Sequence, residues 1–185
     1  MAHLVLASSS PRRALLLSTA GFTFSQVSPD IDETALSDES PDQTVVRLAR
    51  DKALAITEED AHALGADTAV LLDGDALGKP VDRDDAVDMI MRLGGRTHAV
   101  ITGWALAHAG EIVEDGLEVT LVTMRDIPRE EAERYADTGE PLDKAGAYAL
   151  QGDGKHFVTG LAGPRSNVIG LPLKAIVPAL ERAGL

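Results

Sequence analysis

The junction near the start of the chain constrains its fold most: His3-Leu-Val-Leu-Ala7 runs directly into Ser8-Ser-Ser-Pro-Arg-Arg13. The first segment is short, apolar and stopped by serines, as a buried strand is. Pro11 suits the first position of a helix and Ser10 the cap before it, so a helix opens almost where the strand ends. Arg12 to Ala20 continue that helix and Gly21 stops it. A buried strand feeding straight into a helix is the opening unit of an α/β layer, provided that the alternation continues.

It does continue. Residues 22–27 read as a second strand, and 28–40, rich in Asp, Ser and Pro, as a loop. Val45, Leu48, Ala49, Lys52, Ala53 and Ile56 recur at three- and four-residue spacing and predict a helix over 41–59. Residues 65–72 form an apolar strand interrupted at Asp67 and Thr68, followed by a turn at 73–75 and a Gly78-Lys79-Pro80 loop. A helix over 84–93 ends at Gly94-Gly95. Two runs rich in β-branched residues, 97–109 and 112–125, meet at Gly110 and read as an antiparallel pair. A helix over 128–138, short strands near Tyr148, Phe157 and Val168, and a helix from Pro172 onward complete the chain. The pattern predicts one α/β domain of 185 residues with a mixed central sheet and flanking helices.

Charge and composition narrow the partners. Thirty acidic against 17 basic residues give a formal charge of −13, which repels phosphate backbones and argues against nucleic-acid binding. A small polyanionic substrate would need a local basic pocket, and a cation beside it. Cysteine is absent, which excludes disulfides, thiolate metal sites and a cysteine nucleophile and fits a reducing compartment. The N-terminal run lacks a basic leader, and no stretch approaches ~18 uninterrupted apolar residues. A cytoplasmic protein without a membrane partner is expected. HExxH, GxSxG, P-loop and GxGxxG motifs do not occur, and the five histidines lack ligand spacing, so zinc is not expected. His98 reads as a half-exposed strand residue.

Several segments carry chemistry. Ser8-Ser-Ser-Pro-Arg-Arg13 places hydroxyls, a helix N-terminus and two guanidiniums together, either as an anion site or as a capped helix with two surface arginines. Arginines in a first turn oppose the helix dipole, which favours the anion site. Asp67, interrupting a strand, could hold Mg²⁺ or Mn²⁺ or orient a water; the plainer alternative is a carboxylate bonded to nearby backbone. Lys79 is either a phosphate contact on a constrained loop or part of a surface turn. Glu33, after Asp30 and Asp32, could complete a cation site or lie in a solvated loop. Lys52 sits on an apolar helix stripe, where its amine must snorkel or reach an anion. Residues 143–152 group Asp143, Lys144, Tyr148 and Gln151, which could pin a ribose or read a base edge, or hold an ordinary ion pair.

Together these segments resemble the Maf family, the septum-formation-associated nucleotide pyrophosphatases. The matching segments are 6–13, 30–34, 47–52, 65–68, 78–80, 143–152 and 167–173, in order along nearly the whole chain. The resemblance implies a mixed α/β fold similar to the inosine triphosphate pyrophosphatases, with two lobes around a central cleft. It implies metal-dependent release of a nucleoside monophosphate and pyrophosphate, with Mg²⁺ or Mn²⁺ as cofactor. Asp67 would be the catalytic acceptor and share the metal with Glu33, while Ser8, Arg13, Lys52 and Lys79 would hold the triphosphate. Arg12, Thr68 and Gln151 match the subgroup acting on dTTP and UTP rather than on 7-methyl-GTP. A homodimer is also implied. The rival reading is a nucleotide-binding regulator of cell division with incidental hydrolysis.

Overall fold

A computed structural model describes residues 3–185. Met1 and Ala2, which open the first apolar run, lie outside the described residues. The element order is β1 (His3–Ala7), α1 (Pro11–Thr19), β2 (Ser25–Val27), α2 (Pro41–Leu54), β3 (Ala61–Leu72), β4 (Asp75–Leu77), α3 (Arg83–Leu93), β5 (Thr97–His108), β6 (Glu111–Met124), α4 (Arg129–Asp137), β7 (Val158–Ala162), α5 (Arg165–Ile169) and α6 (Leu173–Arg182). The strands form one mixed sheet in the order β2-β1-β3-β5-β6-β7, with β4 paired to β3. The chain divides into two compact units: residues up to Thr68 with Thr102–Glu118 and Ser166–Leu185, and Ala69–Ile101 with Val119–Arg165.

In the first unit β1 pairs in parallel with both β2 and β3. Strand alternation sorts the two faces. Leu4, Leu6, Leu64, Ala66, Trp104 and Leu106 pack with Leu17, Leu171, Ile176 and Leu180 on the side of α1 and α6. Ala63, Ala105 and Ala107 face Ala49 and Ala53 of α2. The α2 side is built from small residues because the helix lies almost on the sheet. A Cβ on Gly65 would come within 2.1 Å of the Ala49 carbonyl oxygen, and one on Gly103 within 2.4 Å of that of Val45. This close approach later decides which side chains of α2 reach the strand.

In the second unit the end of β3 turns through Asp73 (φ 55°) and Gly74 (φ 92°) into antiparallel β4. Asp82 caps α3 by accepting the Asp85 amide at 2.9 Å. β7 is antiparallel to β6, with an irregularity between Thr123 and Met124. Back in the first unit, β5 and β6 are joined through Ala109 (φ 50°) and Gly110 (φ 78°), a two-residue turn with the positive φ angles that a tight antiparallel hairpin uses.

Several boundaries differ from the expectation. The second strand begins at Ser25, not residue 22, and α2 stops at Leu54, where Ala55 closes its last turn. β3 begins at Ala61, because Ala61 to Gly65 pair in register with His3 to Ala7. Of the three late strands only Val158–Ala162 forms: Phe157 ends a 3₁₀ turn, Tyr148 follows another, and Val168 lies in α5. Gly146 (φ 70°) and Ala147 (φ 57°) turn the chain too sharply for a ladder at Tyr148. His98 is 2% exposed rather than half-exposed. Its imidazole accepts burial by bonding the Tyr148 hydroxyl at 2.8 Å.

Candidate active site

Alternation along β3 sends consecutive residues to opposite helices. Asp67 shares the face of Gly65, towards α2, and Thr68 shares the face of Ala66, towards α1. Because Gly65 lets α2 lie close, Lys52 spans the gap and its ammonium reaches Asp67 Oδ1 at 2.7 Å. The same nitrogen is 2.8 Å from Glu33 Oε1, so one buried cation joins two carboxylates from different segments. The apolar-stripe position of Lys52 is explained by that pairing. Lys52 is 7% exposed, and an unpaired ammonium at such a site would be costly.

On the other face Arg13 is held by its whole fork. Its Nε donates to the Gly170 carbonyl at 2.8 Å, Nη1 to Ser8 Oγ at 3.3 Å and Nη2 to Thr68 Oγ1 at 3.1 Å. Three of five N–H groups are thus spent, and the two left, one on each terminal nitrogen, suit a bidentate phosphate. The φ of 117° at Gly170 favours glycine, and a Cβ there would also crowd Arg13 Nε at 3.3 Å. Ser8 Oγ also accepts the Ser10 amide at 3.2 Å. With both lone pairs used, its hydroxyl proton remains to be donated, the polarity an anion needs. Ser10 caps α1 at Arg13 N, 3.4 Å. The N-terminus of α1 therefore opens onto the same group of residues.

The charges nearly balance: Arg13 and Lys52 stand against Asp67 and Glu33. Desolvation pushes the Arg13 pKa below its ordinary value, Asp67 pulls it back up, Arg12 pushes it down and Glu33 raises it. The guanidinium stays charged at neutral pH. Arg12 is half-buried and acts on Arg13 through its charge. The acidic residues Asp30 and Asp32 do not join a cluster. Among the described residues no group of three or more His, Asp or Glu side chains is placed to hold a metal ion.

Lys79 and Gln151 belong to the second unit. Lys79 is exposed on the loop after β4, and Gln151 is exposed at the end of segment 143–152. The two loops are tied together, because the Gly146 amide donates to the Gly78 carbonyl at 3.1 Å. Lys144 pairs with Asp143 and donates to the Glu140 carbonyl at 2.7 Å, the ordinary ion pair that the sequence left open. Tyr148 is buried against His98.

Two positions escaped the sequence reading. Thr102 is fully buried on β5, bonded to Thr68 Oγ1 at 2.9 Å and donating to the Asn167 carbonyl at 3.1 Å. Its signal was a hydroxyl inside the apolar run 99–107, the same kind of interruption that marked Asp67. Gly170 was seen only as part of segment 167–173, and nothing in sequence says that its carbonyl anchors an arginine.

A family model described as Maf-like protein matches residues 3–183. The dTTP/UTP pyrophosphatase of Myxococcus xanthus is 50% identical over 184 residues, covering 98% of this chain and 93% of that protein. That of Symbiobacterium thermophilum is 45% identical over 186 residues, covering 100% and 95%. That of Salmonella typhimurium is 48% identical over 176 residues, covering 94% and 89%. A HAM1 protein from Coxiella burnetii superposes over 98% of this chain and 100% of its own, with a TM-score of 0.56 and 14% identity, a likeness of fold alone. From the capped α1 junction to the Gly170 carbonyl, the segments that resembled a family lie in one full-length match: the chain belongs to the Maf family.

Proposed function

We propose that this protein is a nucleoside triphosphate pyrophosphatase that cuts dTTP and UTP between the α- and β-phosphates. Relatives named for that activity at 44–50% identity over nearly the whole chain support the reaction and substrate class. The observation that carries the reading is the constellation of Arg13, Lys52 and Asp67. A fork with two N–H groups left to give lies within electrostatic reach of the carboxylate that the buried Lys52 ammonium bonds.

Asp67 accepts a proton from the attacking water, aligned with the α-phosphorus, and pyrophosphate leaves on the opposite side. Ser8, Arg13 and Lys52 stabilise the charge that develops on the transferred phosphoryl and the leaving group. Lys79 is assigned to the phosphates, and Arg12, Thr68 and Gln151 to the choice of base. Glu33 and Asp67 are hard oxygen donors with side chains 60% and 19% exposed, a set that fits Mg²⁺ or Mn²⁺ when substrate phosphates complete the shell. Such an ion would neutralise phosphate charge there. The balanced charge of Arg13, Lys52, Asp67 and Glu33 supports this need, since it leaves only Arg12 and Lys79 to offset a triphosphate. Residues 1–185 act as one functional domain in this reading, and the absence of cysteine favours the cytoplasm. Among the described residues no helix is long and apolar enough to cross a membrane.

The test is pyrophosphate release from a panel of nucleoside triphosphates with Mg²⁺, Mn²⁺ or chelator. Metal-dependent release from dTTP and UTP but not from ATP or 7-methyl-GTP is expected. Release from 7-methyl-GTP alone would keep the reaction and overturn the base assignment. Tight binding with no release from any of them would replace the enzyme with a nucleotide-binding regulator. Sedimentation of the same sample tests the homodimer.

A further inference from the structure

Each hydroxyl has one proton, and around Thr68 that fact fixes every hydrogen bond. The Asn167 carbonyl can only accept, so Thr102 spends its proton there, at 3.1 Å. Thr102 then faces Thr68 with lone pairs, and the 2.9 Å contact between the hydroxyls must be donated by Thr68. Thr68, with its proton committed, meets the Arg13 Nη2–H at 3.1 Å as an acceptor. One lone pair is all that the Thr68 hydroxyl has left to offer a ligand. Ser8, bonded to the same guanidinium, is left with the opposite polarity, a proton.

We propose that Thr102 is a positioning residue for specificity: buried and out of reach of substrate, it locks Thr68 as a pure hydrogen-bond acceptor and so selects bases that present an imide N–H. This rests on the reading above, in which Thr68 faces the base. Thymine and uracil carry a proton on N3. Cytosine carries a lone pair there, which a locked acceptor repels, leaving a buried polar pair unmatched. The preference for dTTP and UTP over CTP then originates one residue behind the one that touches the base. The arrangement also gives the segment around Asn167 and Gly170 a role, since its two carbonyls orient Thr68, through Thr102, and Arg13.

The test compares kcat/KM for UTP and CTP in the wild-type protein and in Thr102→Val, Thr102→Ser, Thr68→Val and the double variant Thr68→Val/Thr102→Val. Valine removes the acceptor and frees the Thr68 proton to turn outward. The Asn167 carbonyl keeps the Gly170 amide at 2.9 Å, so no buried carbonyl is stranded. Thr102→Val is expected to lower the UTP-to-CTP ratio roughly tenfold, the scale of one hydrogen bond made or refused. Thr102→Ser, which keeps the hydroxyl, retains the ratio within about twofold on the same scale. In the Thr68→Val background the Thr102 substitution adds nothing to the ratio, because the two act through one bond. The ratio compares two substrates on one sample, so partial unfolding cancels. An unchanged ratio in Thr102→Val overturns the proposal, as does an equal drop in the Thr68→Val background. A wild-type protein that splits neither triphosphate removes instead the enzymatic reading beneath it.

Discussion

Lys52 donates to Asp67 at 2.7 Å from a position on an otherwise apolar helix stripe. The bond exists because Gly65, two residues earlier on the same face of β3, allows α2 to settle against the sheet. The ammonium also holds Glu33, so it fixes the Asp67 carboxylate and draws the 28–40 loop to it. Asp67→Asn leaves an amide oxygen for Lys52 to bond and therefore keeps the fold. Its kcat for dTTP is expected to fall on the order of 10²–10⁴, the scale of a general base, while the thermal midpoint moves little. Turnover equal to wild type would remove Asp67 from the chemistry.

The same geometry makes Gly65 a sensitive core position. A methyl there would meet the Ala49 carbonyl oxygen at 2.1 Å and the Ala53 amide at 2.8 Å, both rigid helix backbone. Gly65→Ala is expected to destabilise by about 3 kcal/mol, the upper part of the range for overpacking. It should also weaken dTTP turnover in whatever protein still folds, because α2 carries Lys52 away from Asp67. Urea denaturation measures the first effect and pyrophosphate release at low temperature the second. Wild-type stability would mean that the helix moves freely over the sheet.

The first half of the fold was legible because its signals are local. Ser10 and Pro11 begin α1, periodicity marks α2, and polar residues break β3. The late third misled because Gly146 and Ala147 turn the chain in place of a strand, and Val168, β-branched in a short segment, was drawn into a helix by its surroundings. The site was legible in residue types but not in connections. Lys52, a charge on an apolar stripe, was a visible conflict that the structure resolves with two carboxylates. Thr102 and Gly170 act through one hydroxyl and one carbonyl, and neither leaves a pattern with a period.

Burial of His98 gives the fold a pH dependence with a definite sign. Desolvation on β5 pushes its pKa down to about 4 from an ordinary value of 6.5. Above pH 6.5 the ring is neutral whether the chain is folded or not, and His98 adds no slope. As pH falls below 6.5 the unfolded chain takes up a proton that the native chain refuses until about pH 4. Stability is therefore lost between those values, by on the order of 3 kcal/mol in full. His62, stacked on His108 with ring centroids 4.1 Å apart and lowered by burial and then by that neighbour, adds in the same direction. Urea unfolding at steps from pH 7 to pH 5 reads the slope, and His98→Gln should flatten it. An identical slope in that variant would show that His98 is already charged when folded.

Gln151 has no regular element to hold it, so its position depends on what grips the residues that follow it. Glu140 does this. Its carboxylate accepts the Tyr135 hydroxyl at 2.8 Å and the amides of Asp153 and Gly154 at 3.1 and 3.5 Å. Tyr135 in turn receives the Ala149 amide at 3.2 Å, so one acid and one phenol clamp both sides of Gln151. Gly152 leaves room for the clamp, since a Cβ there would lie 2.1 Å from Glu140 Oε1 and push the carboxylate aside. Burial, then the Glu140 bond, raises the Tyr135 pKa, which keeps the phenol protonated as the donor at any working pH. Glu140→Ala releases both amides and is expected to raise KM for dTTP roughly tenfold with kcat changed far less, since in the proposed reading Gln151 meets the base and no reacting group is loosened. Stability should fall by about 2 kcal/mol, the worth of hydrogen bonds to a charged acceptor. A kcat collapse at unchanged KM would place Glu140 in support of the phosphates instead of the base, and would move Gln151 with it.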